Sequence, residues 1–239
     1  MEFPRTQWFD LIRFNVDVPL SLCECAAAIP GCHFIFISTG LCYREQGRPL
    51  REDDPVDTQH PYGASKAAAD ILMRSAAAEF GVPLTVLRPF SFTGMGDDRT
   101  RLFPSLLRSA LEGKSMALSA GTQIRDHCSA RDIAAGILAA VQRPPSREQS
   151  SRIFNLGSGS LQPMRPMIEG LVEELKIPAT LSFGERPFGR FEPLHLVADT
   201  TLAQRELGWQ PQHRFAHALW QLAHESFPQL SLQEPTEHL

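Results

Sequence analysis

The chain has 239 residues, a length that suits one large domain or two small ones with a well-buried core. Its formal charge is −4 and its pI is near 6.1, which argues against nucleic acid and anionic membrane surfaces as partners. A hydrophobic fraction of 43% excludes wholesale disorder, and no apolar run reaches the roughly 18 residues that span a bilayer. The N-terminus lacks the pattern of a secretory signal, and five cysteines, an odd number, fit reduced thiols, so we expect a cytoplasmic protein.

The first half of the chain alternates between helix and strand patterns. Residues 15–29 have the periodicity of an amphipathic helix, and Tyr62–Phe80 has that of a second helix with a small-residue face. The unbroken apolar runs His33–Ile37 and Leu84–Arg88 are typical of parallel strands that are covered on both faces. This order predicts an α/β fold with a doubly wound parallel sheet. The predicted buried faces are Val18, Leu22, Cys25, Ala26 and Ile29 on the first helix, and Ala64, Ala67, Ala68, Ile71, Leu72 and Ser75 on the second.

The second half continues the alternation with shorter elements. From Pro228 the chain is polar, and we expect this tail to be frayed. The predicted elements before it are helices near Leu102–Leu111 and over Ala130–Val141, a strand at Ile153–Asn155, a helix from Met164 to Leu175, a short helix with Asp199 as its N-cap and Gly208 at its end, and a last helix through Phe215, Leu219 and Leu222.

One pair of residues stands out as a candidate catalytic site. Tyr62 and Lys66 are four residues apart and so share one face of the predicted helix. Thr39 ends the strand before this helix, and Arg88 ends the strand after it. Because the carboxyl ends of parallel strands form the ligand crevice of an open sheet, we expect Thr39, Tyr62 and the loop after Arg88 to meet there. The other interpretation is a surface tyrosine beside a solvated lysine.

These residue types suit acid–base catalysis. A free phenol has a pKa near 10 and is a poor base at neutral pH. An ammonium group about 4 Å away favours the phenolate by roughly 4 kcal/mol at an effective dielectric constant near 20. We therefore expect Lys66 to bring the pKa of Tyr62 toward 7, while the Thr39 hydroxyl holds the substrate oxygen whose proton Tyr62 moves.

Several segments, in order along the chain, carry a family resemblance. They are HFIFISTGLCY, PYGASKAAADILM, VPLTVLRPFSFTG, GTQIRDHCSARDIAAGILAAV, IFNLGSG and VADTTLAQRELGWQP. From about Phe14 to Pro211 the chain resembles the extended short-chain dehydrogenase/reductases, in the branch of the nucleotide-sugar epimerases and dehydratases. The resemblance implies a Rossmann-like domain over residues 1–160 that carries the Tyr-x-x-x-Lys site and a substrate-binding part over residues 161–239. It also implies NAD or NADP as cofactor and a nucleotide sugar as ligand.

The same resemblance assigns roles to individual residues. Tyr62 corresponds to the catalytic acid/base, Lys66 to its partner and a ligand of the nicotinamide ribose, and Thr39 to the catalytic hydroxyl. No metal site is implied. The residues expected at the cofactor are Tyr62, Lys66, Ser38, Pro89 and Ser91.

Arginines are expected to bind the substrate pyrophosphate. By resemblance, Arg125 is one bidentate phosphate ligand, and either Arg186 or Arg190 is a second. The spacing to Asp199 does not decide between the last two. The alternative for each of the three arginines is a surface ion pair.

Two departures from the family bear on the activity. The 4,6-dehydratases carry Asp-Glu directly after the catalytic threonine, whereas this chain has Gly40-Leu41, which leaves a 4-epimerase or a 4-keto reductase. Family members also contain a G-x-x-G-x-x-G loop that cradles the dinucleotide pyrophosphate, and no such motif occurs in the 239 residues. We therefore expect this chain alone to bind NAD or NADP weakly.

Three hypotheses about activity stay open. The chain is an epimerase or reductase whose cofactor half comes from another chain, a remnant that binds a ligand or partner without turnover, or an enzyme that uses Tyr62 without a nicotinamide cofactor. The strand His33–Ile37 would be an apolar edge strand, a feature that folded proteins cover. We therefore expect a homo-oligomer or a complementing chain.

Overall fold

A computed structural model describes residues 5–146, 149 and 151–236. A π-helical turn, Arg13–Asp17, joins the first two helices, and a 3₁₀ turn, Gly40–Cys42, follows the first strand. The α-helices are α1 (Arg5–Ile12), α2 (Val18–Ala27), α3 (Pro61–Phe80), α4 (Leu102–Leu111), α5 (Ala130–Gln142), α6 (Met164–Glu174), α7 (Thr201–Leu207) and α8 (Phe215–Ser226). The strands are β1 (Phe34–Ile37), β2 (Leu84–Pro89), β3 (Ser91–Thr93), β4 (Ser115–Leu118), β5 (Ile124–Arg125), β6 (His127–Ser129), β7 (Ser151–Leu156), β8 (Thr180–Phe183) and β9 (His195–Leu196).

The central sheet is parallel, with the strand order β1-β2-β7. Phe34 lies opposite Leu84, and Leu87 lies opposite Phe154. Strand β2 is buried along its whole length because it has a neighbour on each side and helices on both faces. Within the described residues β1 pairs with β2 alone, so its other side is an edge. The predicted α/β fold with a parallel sheet is confirmed.

Helices cover both faces of this sheet. On one face Val86 packs in a cluster with Met73 of α3. On the other face Leu87 packs in a cluster with Ile133 of α5 and Leu207 of α7. The alternation of Val86 and Leu87 between the two faces is what a strand requires of consecutive side chains.

A second hydrophobic core lies beside the sheet. It combines apolar faces of α4, α6 and α8 with residues of β4 and of the segment after α6. Three short parallel pairs, β3 with β6, β4 with β8 and β5 with β9, join these parts of the chain. Their strands have two to four residues, too few for a hydrophobic periodicity to show in the sequence.

The predicted buried face of α2 is wrong. Cys23 and Ala26 are buried, as is Val16 in the preceding π-helical turn. The small side chains of Cys23 and Ala26 allow α2 to pack closely against α3, which the larger leucine and valine side chains would prevent. Of the predicted residues only Ala26 is buried, and Val18, Leu22, Cys25 and Ile29 are exposed.

The predicted face of α3 is also largely wrong. This helix buries two charged residues, Lys66 and Asp70, together with Ala69 and Met73. Charged side chains can occupy a buried face when the fold supplies partners for them, and a distant arginine pairs with Asp70. Of the predicted residues Ala67 is buried and Ala64 half-buried, whereas Ala68, Ile71, Leu72 and Ser75 are exposed.

The C-terminal elements match the sequence except at their ends. Helix α7 has Thr200 as its N-cap, one residue after the predicted Asp199, and ends at Gly208 with φ +63°, as predicted. The expectation of a frayed tail is wrong for the described residues. Leu230 is buried against the second core, and the Gln233 backbone N–H donates a hydrogen bond of 2.9 Å to a carbonyl after α6.

Candidate active site

The first candidate catalytic residue, Thr39, lies two residues after the end of strand β1. Thr39 is buried and has extended backbone geometry. Its Oγ1 accepts a hydrogen bond of 3.2 Å from the Leu41 backbone N–H and thereby caps the 3₁₀ turn. A hydroxyl oxygen that accepts in this way still has its own proton to donate to an oxygen in the crevice.

Tyr62 is the second residue of α3, and the start of this helix is tightly placed. The His60 side chain caps it, with Nδ1 accepting a hydrogen bond of 3.3 Å from the Gly63 N–H. A Cβ atom at Gly63 would lie 2.2 Å from the carbonyl oxygen of Leu41. The helix start, with Tyr62, is therefore pressed against the turn that begins at Thr39.

Lys66 lies one helical turn after Tyr62, as predicted, but its environment is largely apolar. The side chain is only 8% exposed, and Nζ lies 4.5 Å from the centroid of the Phe36 ring, within the range of a cation–π contact. Burial lowers the pKa of Lys66, and the negative charge of Asp70 opposes that shift.

The electrostatic prediction for Tyr62 is wrong in direction. Tyr62 is 37% exposed, and the partial burial of its phenol raises its pKa above the ordinary value of 10, with a smaller contribution from the nearby Cys42 thiol. The positive charge that works against this rise is that of Arg101. The Lys66 charge is not among the groups that shift the pKa of Tyr62, and its ammonium contacts the Phe36 ring. The spacing of the pair is correct, and the predicted lowering of the phenol pKa is not found.

A cavity of about 250 Å³ is lined by residues of β3, α4, β5, β6 and α6 and by three arginines. Arg125 forms an ion pair of 3.4 Å with Glu192, and Arg101 forms one of 3.0 Å with Asp97. Burial lowers the pKa of Arg125, and the carboxylate of Glu192 opposes this shift. The third arginine that lines the cavity is Arg186, which follows β8. A cavity that combines arginines with apolar walls suits an anionic ligand that also carries a ring.

The cavity separates the two arginines between which the sequence could not choose. Arg186 lines the same cavity as Arg125. Arg190 instead lines a different cavity, of about 490 Å³, where its guanidinium lies 5.1 Å from the centroid of the Phe191 ring. The structure therefore brings Arg125 and Arg186 together and leaves Arg190 outside.

Sequence reasoning missed Arg101. This residue directly precedes α4 in a polar loop, and its charge acts on Tyr62 while its side chain lines the arginine cavity. The local sequence DDRTR gives no signal of this placement, because the fold alone brings the loop beside α3.

Asp126 is a second residue that was missed. Its carboxylate is fully buried and accepts hydrogen bonds from the backbone N–H groups of Ser158, Gly159 and Ala198. Burial raises the pKa of Asp126, and these hydrogen bonds oppose the shift. The carboxylate thereby ties together three chain segments and fixes the backbone that carries Arg125.

Comparison with known proteins identifies the family of the chain. The profile of the family described as "NAD dependent epimerase/dehydratase family" matches residues 6–157, more than half of the chain. The UDP-glucose 4-epimerase of Corynebacterium glutamicum is 31% identical in an alignment 229 residues long that covers 89% of this chain and 67% of that protein. The chain belongs to the NAD-dependent epimerase/dehydratase family.

Solved structures similar to this family member also hold dinucleotides. A mutant of the UDP-glucuronic acid 4-epimerase of Bacillus cereus, in complex with UDP-4-deoxy-4-fluoro-glucuronic acid and NAD, has a TM-score of 0.81, 25% identity and coverage of 91% of this chain and 68% of that one. The RMD protein of Pseudomonas aeruginosa, complexed with NADPH, has a TM-score of 0.81, 20% identity and coverage of 96% and 80%. The chain spans about two thirds of the length of the curated relatives it matches.

The residues of this family member fit one end of the dinucleotide. At the carboxyl end of β1 the Ser38 hydroxyl is buried and, within the described residues, has no hydrogen-bond partner. Lys66 adds a buried ammonium, Pro89 is buried at the end of β2, and Ser91 lines the arginine cavity. The Ser38 hydroxyl and the Lys66 ammonium are donors of the kind that suits the hydroxyls of the nicotinamide ribose, whereas Pro89 has no N–H to donate. The glycine-rich motif that would bind the pyrophosphate does not occur in the 239 residues.

Two further properties of this family member concern membranes and metals. Among the described residues no helix is long and apolar enough to cross a bilayer. In the same ranges no group of three or more His, Cys, Asp or Glu side chains is arranged to hold a metal ion. The five cysteines are free thiols.

Proposed function

We propose that this chain carries the acid–base and substrate-binding residues of a nucleotide-sugar 4-epimerase. The observation that carries the proposal is the close approach of Gly63, the neighbour of Tyr62, to Leu41 in the turn that Thr39 begins. It supports a site in which the Tyr62 phenol and the Thr39 hydroxyl act together near the carboxyl ends of the parallel strands, where open α/β sheets bind ligands. The 31% identity to a UDP-glucose 4-epimerase supports the same substrate class.

In the proposed reaction Tyr62 moves the proton of the sugar 4-hydroxyl. Thr39 holds the 4-oxygen, and Tyr62 removes its proton and later returns a proton to the same oxygen. The phenol must lose its own proton before the first step, and Arg101 is the cation that favours this in the structure. NAD, when bound, supplies the reversible exchange of a hydride with the sugar carbon. Ser38 and Lys66 would hold the nicotinamide ribose.

The arginine cavity is the proposed site for the diphosphate of the substrate. Arg125 and Arg186 can bind phosphate oxygens with two parallel hydrogen bonds each. The ion pair of Arg125 with Glu192 keeps the guanidinium in the cavity wall before the substrate arrives. Arg190 contributes to a neighbouring cavity and is not assigned to the diphosphate.

The residues after Thr39 argue against a dehydratase. Elimination of water in the related 4,6-dehydratases uses an Asp-Glu pair at the positions of Gly40 and Leu41. A Cβ atom at Gly40 would lie 2.8 Å from the Phe90 ring, so the site has no room for an acidic side chain there. The ring closes the space that a carboxylate would need.

A 4-keto reductase is the second candidate, and the protonation state of Tyr62 favours it. Reduction of a carbonyl needs a proton donor beside the oxygen, and burial keeps the Tyr62 phenol protonated at neutral pH. The epimerase needs Tyr62 deprotonated in its first step, whereas the reductase needs Tyr62 protonated. The two candidates also differ in the substrate that they convert, a UDP-hexose for the epimerase and a UDP-4-keto-hexose for the reductase.

The test is an NMR assay of the purified chain with UDP-glucose or UDP-galactose and with NAD in large excess, so that a weak cofactor site is occupied; NAD binding is measured on the same sample. We expect the two sugars to interconvert in both directions. A reductase would instead oxidise NADH or NADPH in the presence of a UDP-4-keto-hexose and would leave both UDP-hexoses unchanged. Calorimetric binding of UDP-glucose with no turnover in either assay would contradict the proposal and favour a ligand-binding remnant.

A further inference from the structure

Helix α3 buries two charges that lie one helical turn apart. Lys66 and Asp70 are both buried, and their i, i+4 spacing places them on the same face of the helix. The ammonium of Lys66 lies over the Phe36 ring, in surroundings that do not solvate a cation well. The negative charge that acts on Lys66 is that of Asp70.

Asp70 is held by a buried arginine of the central strand. Arg88 of β2 is 1% exposed and donates two hydrogen bonds to Oδ2 of Asp70, of 2.8 Å from Nε and 2.6 Å from Nη2. The other oxygen, Oδ1, lies 3.2 Å from Nε of Arg74 without hydrogen-bond geometry. The carboxylate of Asp70 is therefore fixed from one side by the sheet.

The same arginine connects α3 to the turn that follows Thr39. Nη1 of Arg88 donates a hydrogen bond of 2.7 Å to the Tyr43 hydroxyl, which donates one of 2.7 Å to Oδ1 of Asn155 in β7. Tyr43 comes directly after the 3₁₀ turn that Thr39 caps. One buried network thus joins the turn that Thr39 caps, the helix that carries Lys66, and strands β2 and β7 of the sheet.

We propose that Asp70 is a positioning residue for the reaction: anchored by Arg88, it holds the Lys66 ammonium in place and charged beneath the crevice. The inference rests on the proposed function, in which Lys66 acts at the nicotinamide ribose. Asp70 itself touches neither the substrate nor the cofactor in this proposal and acts only through Lys66.

The sign of the effect follows from the charges that surround the pair. Burial disfavours the charged form of Lys66, and a carboxylate one turn away favours it, so removal of Asp70 lowers the pKa of Lys66 further. Burial raises the pKa of Cys42 to about 12 and raises that of Tyr43, so both groups are neutral at ordinary pH. Among the described residues, the other charged groups in this region are Arg88 from β2, Arg74 on α3 and Glu52, whose carbonyl accepts a hydrogen bond from Arg88 and whose Oε1 accepts one from the Asn155 N–H.

The lysine content of the chain allows a direct measurement. The chain contains three lysines, Lys66, Lys114 and Lys176, so ¹⁵N-lysine labelling gives three Nζ signals in an NMR titration. A Lys66→Met sample identifies the Lys66 signal. The titration needs neither substrate nor cofactor and is therefore independent of the proposed function.

Two variants remove the carboxylate in different ways. Asp70→Asn leaves Arg88 buried without its counter-charge and is a fold risk. Asp70→Leu combined with Arg88→Met replaces the buried ion pair by apolar side chains, an exchange that proteins often tolerate. Glu169→Gln is the matched control, since Glu169 forms an exposed i, i+4 ion pair with Arg165 on α6.

We expect the Lys66 titration midpoint to fall by about one pH unit or more in Asp70→Asn and to stay unchanged in Glu169→Gln. In the double variant it falls by less, because the positive charge of Arg88 is removed together with the carboxylate. Where epimerase activity is measurable, the basic limb of the pH–rate profile moves down by the same amount as the midpoint. A Lys66 midpoint that does not fall in any variant that folds overturns the proposal and leaves Asp70 a purely structural residue. If the wild-type chain shows no epimerase activity but the Lys66 midpoint shifts as expected, the result contradicts the proposed function and not the role of Asp70.

Discussion

The contact at Gly63 gives a substitution whose effect can be worked out from distances. A Cβ atom at this position would meet the Leu41 carbonyl oxygen at 2.2 Å and its carbon at 2.9 Å. Both are backbone atoms and cannot rotate away as a side chain would. Ordinary contact begins at 3.4 Å, so Gly63→Ala forces the start of α3 to retreat by about 1.2 Å. Tyr62 precedes Gly63 and moves with it.

A displacement of this size should act mainly on catalysis. A shift of about 1 Å in a catalytic group can cost on the order of 100-fold in rate. We therefore expect Gly63→Ala to lower the epimerisation rate by about 100-fold while the far-ultraviolet circular dichroism stays close to that of wild type. The assay is the NMR interconversion of UDP-glucose and UDP-galactose, with the thermal midpoint measured on the same samples.

Gly170 provides a matched control within the same chain. It lies in α6 with no atom within 4 Å of an added Cβ, so Gly170→Ala makes the same chemical change without the clash. We expect it to leave the rate unchanged and to stabilise the fold by roughly 0.5–1 kcal/mol, because alanine is the better helix former. A Gly63→Ala variant with the wild-type rate would refute the tight placement of Tyr62 against the turn after β1.

Three further outcomes follow from the site and the sheet. Arg125→Gln should raise the KM for UDP-glucose by roughly 10- to 100-fold, as expected for lost hydrogen bonds to a charged group, whereas Arg190→Gln should change it little; equal effects would contradict the assignment of the cavity. Arg101→Gln removes the cation that opposes the raised pKa of Tyr62, so the acidic limb of the pH–rate profile should move to higher pH, and an unchanged limb would show that this charge does not act on the phenol. Because β1 (Phe34–Ile37) has an edge within the described residues, light scattering should give a mass above 26.6 kDa, and a monomer at micromolar concentration would contradict that expectation.

The elements that could be predicted from sequence are those whose signal is local. The sequence run Leu84–Arg88 is continuous and apolar, and the whole run forms strand β2 in the structure. The signal is clear because a central parallel strand is covered on both faces and so has no polar face. Tyr62 and Lys66 lie on one helix, so their spacing alone fixes their relation. Gly208 ends α7 with a positive φ, a conformation for which glycine is the ordinary choice.

The features that could not be predicted depend on contacts between distant segments. The hydrophobic pattern of α3 favours a face with Ile71 and Leu72, yet the helix buries Lys66 and Asp70 because Arg88 supplies a partner from another strand. No local pattern contains that pairing. Arg101 is a further case, because only the folded position of the loop before α4 brings it to the cavity that Arg125 and Arg186 also line.

The electrostatics of the site depend on burial even more strongly. The i, i+4 spacing places Lys66 near Tyr62, and the expected result in solution is a lowered phenol pKa. In the fold Lys66 turns to the Phe36 ring, and desolvation raises the pKa of Tyr62 instead. Desolvation depends on how the chain packs, so the spacing of residues in the sequence does not predict it.

The most direct test of the proposed function is the rate of UDP-hexose interconversion by Tyr62→Phe compared with wild type. The substitution keeps the aromatic ring and removes the transferable proton, and the 37% exposure of Tyr62 makes an effect on folding small. We expect the rate to fall by about 10²–10⁴-fold at unchanged thermal midpoint, the usual contribution of acid–base catalysis. A Tyr62→Phe variant that turns over at the wild-type rate would show that Tyr62 does not carry the chemistry and would contradict the proposed function.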